Sequence, residues 1–168
     1  VGDHLAHSER GAPAAPTQRV DLSELVRQVI ADTAPAALAR GSDFELDAEG
    51  CVELDGDPAA LAALARNLAE NAVLHAPAGA RVRVRAWHEQ GVPVLSFDDS
   101  GPGIAEAERE RVFDRFYRPG GDGAQGSGLG LAIVRSVAER HGATITLSDS
   151  ALGGLRVVVR FGEGSAPL

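Results

Sequence analysis

Three polar side chains, Asn67, Asn71 and His75, recur at i, i+4 and i+8, a spacing that puts them on one face of a helix. Carboxamide oxygens are neutral, hard donors, suited to a Mg²⁺ ion already shared with phosphate oxygens. A solvated helix face would show the same pattern. A second segment, Asp99-Ser100-Gly101-Pro102-Gly103, follows the apolar run Val94 to Phe97. An Asp at a strand end can accept a hydrogen bond from an exocyclic amine, and glycines let the backbone come close to a flat ring. The same residues would also serve as a plain turn. A Rossmann phosphate loop is excluded, because Glu106 stands where its third glycine belongs. A third segment, Gly126-Ser127-Gly128-Leu129-Gly130-Leu131, leads into a helix, whose open N–H groups form an anion site. Ahead of it, Pro119 to Gln125 is glycine-rich, in the manner of an active-site lid or of a simple linker.

Composition narrows the chemistry. All 16 Lys+Arg positions are Arg. A P-loop of the G-x-x-x-x-G-K-[ST] form is therefore impossible, and any cationic contact to phosphate must come from Arg. A net charge of −8 argues against a nucleic-acid or anionic-membrane surface. The single Cys51 excludes an internal disulfide and a multi-Cys metal site, and reads as a small residue at a strand edge. No apolar run reaches the ~18–20 residues needed to span a bilayer. The first ten residues have no signal-peptide core. The 168 residues suffice for one domain with its own core. There is no Met, so Val1 is read as the start of a fragment of a longer protein.

The elements that must position these residues follow from pattern. Residues 1–19, with Gly11-Ala12-Pro13-Ala14-Ala15-Pro16, read as a linker or the end of a preceding helix. Asp21 or Ser23 caps a helix to about Leu38, with Leu22, Leu25, Val26, Val29 and Ile30 at helical spacing. Short strands are expected at 44–46 and 51–54. Asp57-Pro58 opens a helix that Pro77 ends. Arg81 to Trp87 and Val92 to Phe97 alternate around Gln90-Gly91, predicting a hairpin. A short helix at about 105–112, a helix from Gly128 to His141, strands at 143–148 and 154–161, and a disordered tail over 163–168 complete the reading. Helices alternating with pairs of strands predict an α/β (α+β) two-layer sandwich, its mixed and mostly antiparallel sheet packed on about three helices.

In this order, the N-x-x-x-N helix, D-x-G-x-G, Phe113-Asp114-Arg115-Phe116-Tyr117-Arg118 and G-x-G-L-G-L resemble the N, G1, F and G2 boxes of bacterial sensor histidine kinase catalytic domains, members of the Bergerat-fold ATPase superfamily. Val20-Asp21-Leu22-Ser23-Glu24-Leu25 resembles that family's lead-in to its first helix, so the resemblance covers about residues 20–161, within a catalytic domain expected over 20–162. It implies ATP or ADP with Mg²⁺ as ligands. Asn71 would coordinate the metal with help from Asn67, and Asp99 would take the adenine amino group. His75 and Ile104 would border the base, beside Gly101 and Gly103. Arg118, with Arg115, would reach the terminal phosphates. Gly126, Ser127, Gly128, Leu129 and Gly130 would surround the phosphates, and Phe113 and Phe116 would anchor the lid or simply fill core. Two departures stand out: Leu74 replaces a frequent Lys or Arg, and Gly154-Leu155-Arg156 lacks the family's Thr pair.

The resemblance also implies what is missing. Asn67 occupies the position where ATP-hydrolysing relatives carry a water-activating Glu, and Glu70 lies ~100° around the helix from Asn71. Transfer to a protein group is therefore expected in place of hydrolysis. The acceptor would be a histidine on a separate dimerisation domain, with a response regulator downstream. The parent protein would sit in the bacterial inner membrane with this domain in the cytoplasm, and the fragment itself would be monomeric. His88-Glu89-Gln90-Gly91-Val92-Pro93 has an acceptor-like skeleton but falls on the hairpin. His4 and His7 lack the motif, and His141 suits a helix C-terminus. The alternatives are an anti-sigma-type serine kinase and a nucleotide-binding module without catalysis.

Overall fold

A computed structural model of the chain describes residues 17–75, 79–114 and 130–162, leaving aside the side chain of His75. In chain order the elements are β1 (Gln18–Asp21), α1 (Leu22–Ala39), β2 (Asp43–Ala48), β3 (Glu53–Gly56), α2 (Pro58–His75), β4 (Arg81–Glu89) and β5 (Val92–Asp99). Single 3₁₀ turns follow at Glu106–Glu108 and Arg111–Phe113, then α3 (Gly130–Arg140), β6 (Thr144–Asp149) and β7 (Leu155–Arg160). The main sheet has the order β2-β4-β5-β7-β6. Among the described residues of this sheet β2 and β4 pair in parallel, and the other three ladders are antiparallel. The expected mixed, mostly antiparallel sheet on three helices is present.

Alternation along the strands builds the core. Val82, Val84, Ala86, Leu95, Phe97, Val157 and Val159 point to the helices and are buried with Val26, Leu64, Leu68, Val134 and Val137. The hairpin turns at Gln90-Gly91, both at positive φ (53° and 81°), the conformation a two-residue hairpin requires.

Three details depart from the sequence reading. Gln18 and Arg19 are part of a strand, not of the linker. β1 pairs antiparallel with β3 in a separate two-stranded sheet, where Arg19 meets Glu53 and Asp55 at 3.3 Å each. These partners lie more than thirty positions away in the chain, out of reach of local pattern. The short helix at 105–112 is instead two 3₁₀ turns, with no side-chain cap on either. So brief an uncapped run cannot offset helix nucleation. The expected strand at 51–54 begins two residues later, because the amides of Leu22 and Val52 are tied into the start of α1: Leu22 N–H donates to Val52 O at 2.7 Å, and Val52 N–H donates to Asp21 Oδ1 at 3.0 Å.

Asp21 caps α1 as expected, accepting also from Ser23 N–H at 3.0 Å. Burial works against its charge. The amides of Val52, Glu24 and Ser23, with Arg27 nearby, outweigh that and hold the carboxyl below its usual range.

Candidate nucleotide site

Helix α2 carries the first expected group. Its apolar stripe, with Leu61, Leu64, Ala65 and Leu68 buried, orients the helix and leaves Asn67 and Asn71 half-buried on the neighbouring face. Asn67 Nδ2 donates to Ala63 O at 2.7 Å, which fixes the amide. Its Oδ1 then faces the first residue of α3: a Cβ on Gly130 would lie 3.3 Å from that oxygen. The first and third sequence segments thus meet, far apart in the chain, at a point where only a glycine fits without displacement.

Helices α2 and α3 run in opposite senses and are fastened at the far end. His141 Nδ1 lies 2.8 Å from Val137 O, and Asp57 N–H donates to Nε2 at 3.1 Å. Both contacts are satisfied when the ring is neutral with its proton on Nδ1. Gly56 allows this approach, since a Cβ there would come within 2.9 Å of Nε2. Arg140 adds an ion pair to Asp57 at 3.2 Å. His141 therefore does more than satisfy a helix C-terminus, the role its position suggested.

Asp99 ends β5 with its side chain on the helix side of the sheet. Its Oδ1 accepts from Gly101 N–H at 2.9 Å and from Leu155 N–H at 3.1 Å. Its carbonyl accepts from Gly154 N–H at 3.0 Å. A Cβ on Gly154 would lie 2.1 Å from Oδ1 and 2.6 Å from the Gly101 nitrogen, so no side chain can exist there. Gly103, at φ +74°, turns the chain beside Gly154 and delivers Ile104, which packs partly buried against the core. The sequence reading noted Gly154 only for a missing Thr pair. Its role as the floor beneath Asp99 was missed, although a Gly-Gly pair just before a strand is a signal of close backbone approach.

Of the other expected residues, Phe113 is partly buried against the core, with Arg135 6.0 Å over its ring. Arg115, Phe116, Arg118, Gly126, Ser127, Gly128, Leu129 and the side chain of His75 lie outside the described residues. Leu74 is 36% exposed at the end of α2, and Glu70 is exposed. His88 is exposed on β4, its amide bound to Glu49 Oε1, which fits a strand residue and not a helical acceptor. Cys51 is exposed, and local desolvation followed by the carboxylates of Asp21 and Glu53 pushes its thiol up, away from reactivity.

Among the described residues, no group of three or more His, Cys, Asp or Glu is disposed to hold a metal by itself. The Asn pair, neutral and oxygen-bearing, fits a Mg²⁺ ion that brings phosphate oxygens with it. In chemical terms the fixed Asp99 carboxylate suits a flat ring that bears an amine, and the junction of α2 with the start of α3 suits a polyphosphate.

Residues 56–164 match the family of histidine kinase-, DNA gyrase B-, and HSP90-like ATPases. The sensor protein QseC of Salmonella typhi is 37% identical over 144 residues, which is 84% of this chain and 31% of the relative. The histidine-protein kinase/phosphatase MprB of Mycobacterium sp. strain KMS is 38% identical over 157 residues, 92% of this chain and 30% of the relative. The chain thus spans under a third of the length of these curated relatives. The crystal structure of the ATP-binding domain of PrrB from Mycobacterium tuberculosis superposes with a TM-score of 0.72 at 33% identity, covering 89% of this chain and 98% of that one. With the Asn67–Gly130 contact and the buttressed Asp99 in place, the chain belongs to the histidine kinase-, DNA gyrase B- and HSP90-like ATPase family, as a sensor histidine kinase catalytic domain.

Proposed function

We propose that the chain binds Mg-ATP and donates the γ-phosphoryl group to a histidine on a separate dimerisation domain of the same full-length sensor kinase, which passes it to a response regulator. The observation that carries this reading is the Asp99 carboxylate, set by two backbone N–H groups over a glycine that admits no side chain. That is a fixed acceptor for an adenine amine. Bound Mg²⁺ would neutralise phosphate charge, held by Asn71 and Asn67. Gly130 lets α3 begin against Asn67, so that the helix N-terminus faces the phosphates. Arg118 and Arg115 would reach the terminal phosphates, and residues 126–129 would line them. The amide of Asn67 supplies no base, so water is not activated and the phosphoryl group is kept for the acceptor. Residues 18–162 form the catalytic domain, its start moved two residues by β1, with the residues before it leading from the dimerisation helix and 163–168 a tail. The parent protein would sit in the bacterial inner membrane; among the described residues no helix is long and apolar enough to cross one.

The test supplies labelled ATP to the chain alone and then adds the dimerisation domain. Label should appear on the added domain as acid-labile phosphohistidine. Strong labelling of the chain alone would sink the missing-acceptor reading, and phosphoserine on the partner would favour a serine kinase. Leu74, in place of a cation, is the one feature favouring a binding module without catalysis, and nucleotide binding without any transfer would support that module.

A further inference from the structure

Asp98 points the other way from Asp99, onto the face of the sheet that carries no helix among the described residues. There it is only 2% exposed. Strand register places it between Arg83 on β4 and Arg156 on β7. Arg156 Nε donates to Asp98 Oδ1 at 3.0 Å, and the Arg156 side chain is 40% exposed. Asp98 Oδ2 is buried with no hydrogen-bond partner among the described residues. Arg83 is itself committed to Glu45 at 2.6 Å. A buried carboxylate with one oxygen unsatisfied is a poor source of stability, since desolvation offsets much of the attraction. Its geometric consequence is clearer. Asp98 and Asp99 are consecutive on β5; Arg156 follows Leu155 on β7. One residue pair is bound on the outer face, Asp98 to Arg156, while the adjacent pair is bound on the inner face, Asp99 Oδ1 to Leu155 N–H. Any slip or twist of the β7 start that lengthens one bond must move the other.

We infer that the Asp98–Arg156 pair is a positioning clamp, which holds the first peptide of β7 in place, sets the plane of the Asp99 carboxylate, and thereby determines how sharply the site distinguishes adenine from a purine without the amine. The inference rests on the proposed role of Asp99. Both act from the opposite face of the sheet to Asp99, through Leu155 N–H.

The experiment measures affinities of the full chain for Mg-ADP and for Mg-IDP, whose hypoxanthine lacks the amine. Asp98→Asn and Arg156→Gln should weaken ADP binding by about threefold to tenfold, a part of what one charge-assisted bond carries, and leave IDP binding nearly unchanged. Arg156→Lys should restore part of the ratio. Arg160→Gln, which removes an ion pair to Glu89 at the far end of the same strand, should leave the ratio alone. If ADP and IDP weaken equally, or the ratio does not move, the clamp is refuted and the pair is scaffold only. Should Asp98→Asn fail to fold, Arg156→Gln, on the more exposed partner, carries the same decision. Asp99→Asn separates the two readings. A collapsed ratio there with an unchanged one in Asp98→Asn defeats the clamp alone, whereas an unchanged ratio in Asp99→Asn defeats the adenine reading and the clamp with it.

Discussion

The Asp99 carboxylate and the Gly154 backbone are in such close contact that the smallest side chain has nowhere to go. Gly154→Ala should therefore cost about 1–3 kcal/mol of stability, in the range of overpacked sites, and reduce nucleotide affinity more than does Gly50→Ala, at a glycine with open space and no positive φ. Urea unfolding and nucleotide titration of both variants check this; equal effects would refute the special position of Gly154. Asn71 makes a different kind of claim. If it holds metal, Asn71→Ala should weaken binding of Mg-ATP by about tenfold or more while affinity measured in EDTA changes little. Equal losses with and without Mg²⁺ would instead mark Asn71 as a packing residue. At this scale the sequence was informative about position: Asn67 and Asn71 lie on the expected helix, Asp99 at the end of the expected strand and Gly103 in the expected turn. Gly154 was not legible as a floor, because what it must accommodate is Asp99, fifty-five positions earlier, and only β5–β7 pairing brings the two together.

Helices α2 and α3 form a unit gripped at both ends. Near the site the contact is Asn67 against Gly130; at the far end it is His141 between Val137 O and Asp57 N–H. His141→Ala removes an acceptor and a donor from partly buried positions, and should destabilise the chain by about 1–3 kcal/mol in urea titrations. Gly130→Val should act at the other end. Its side chain would press on Asn67 Oδ1, so nucleotide affinity should fall with a smaller loss of stability. An affinity unchanged in Gly130→Val would show that Asn67 can yield without consequence. The helices themselves were readable from caps and apolar periodicity, and α1 from its Asp21 cap. The strand β1 and the 3₁₀ turns were not, because the first depends on a distant partner and the second on the absence of a cap.

For the whole molecule, acidification should be destabilising in a defined window. Asp21 is held below its ordinary value by backbone donors despite burial, and Glu45 by its hydrogen bond with Arg83. A carboxyl with a lowered folded-state value contributes stability that is complete above its unfolded-state value of about 4 and lost as pH falls through the folded one. Thermal midpoints should therefore hold steady toward neutral pH and decline below about pH 4, and Asp21→Asn should flatten part of that decline while lowering stability at neutral pH by about 1 kcal/mol. A variant with the same acid slope as the parent would rule out Asp21 as a contributor. Family and element order were written in the chain: ordered motifs, an Arg-only cation set, and elements whose period and caps are local properties. Only the tertiary structure decided how Asp99 is held, that Asn67 meets Gly130, that His141 ties two helices together, and that Asp98 faces Arg156 behind the site. Each of these joins residues from different elements. A contact of that kind follows from strand register and helix packing, which are set by burying the whole core at once and leave no local trace in the chain.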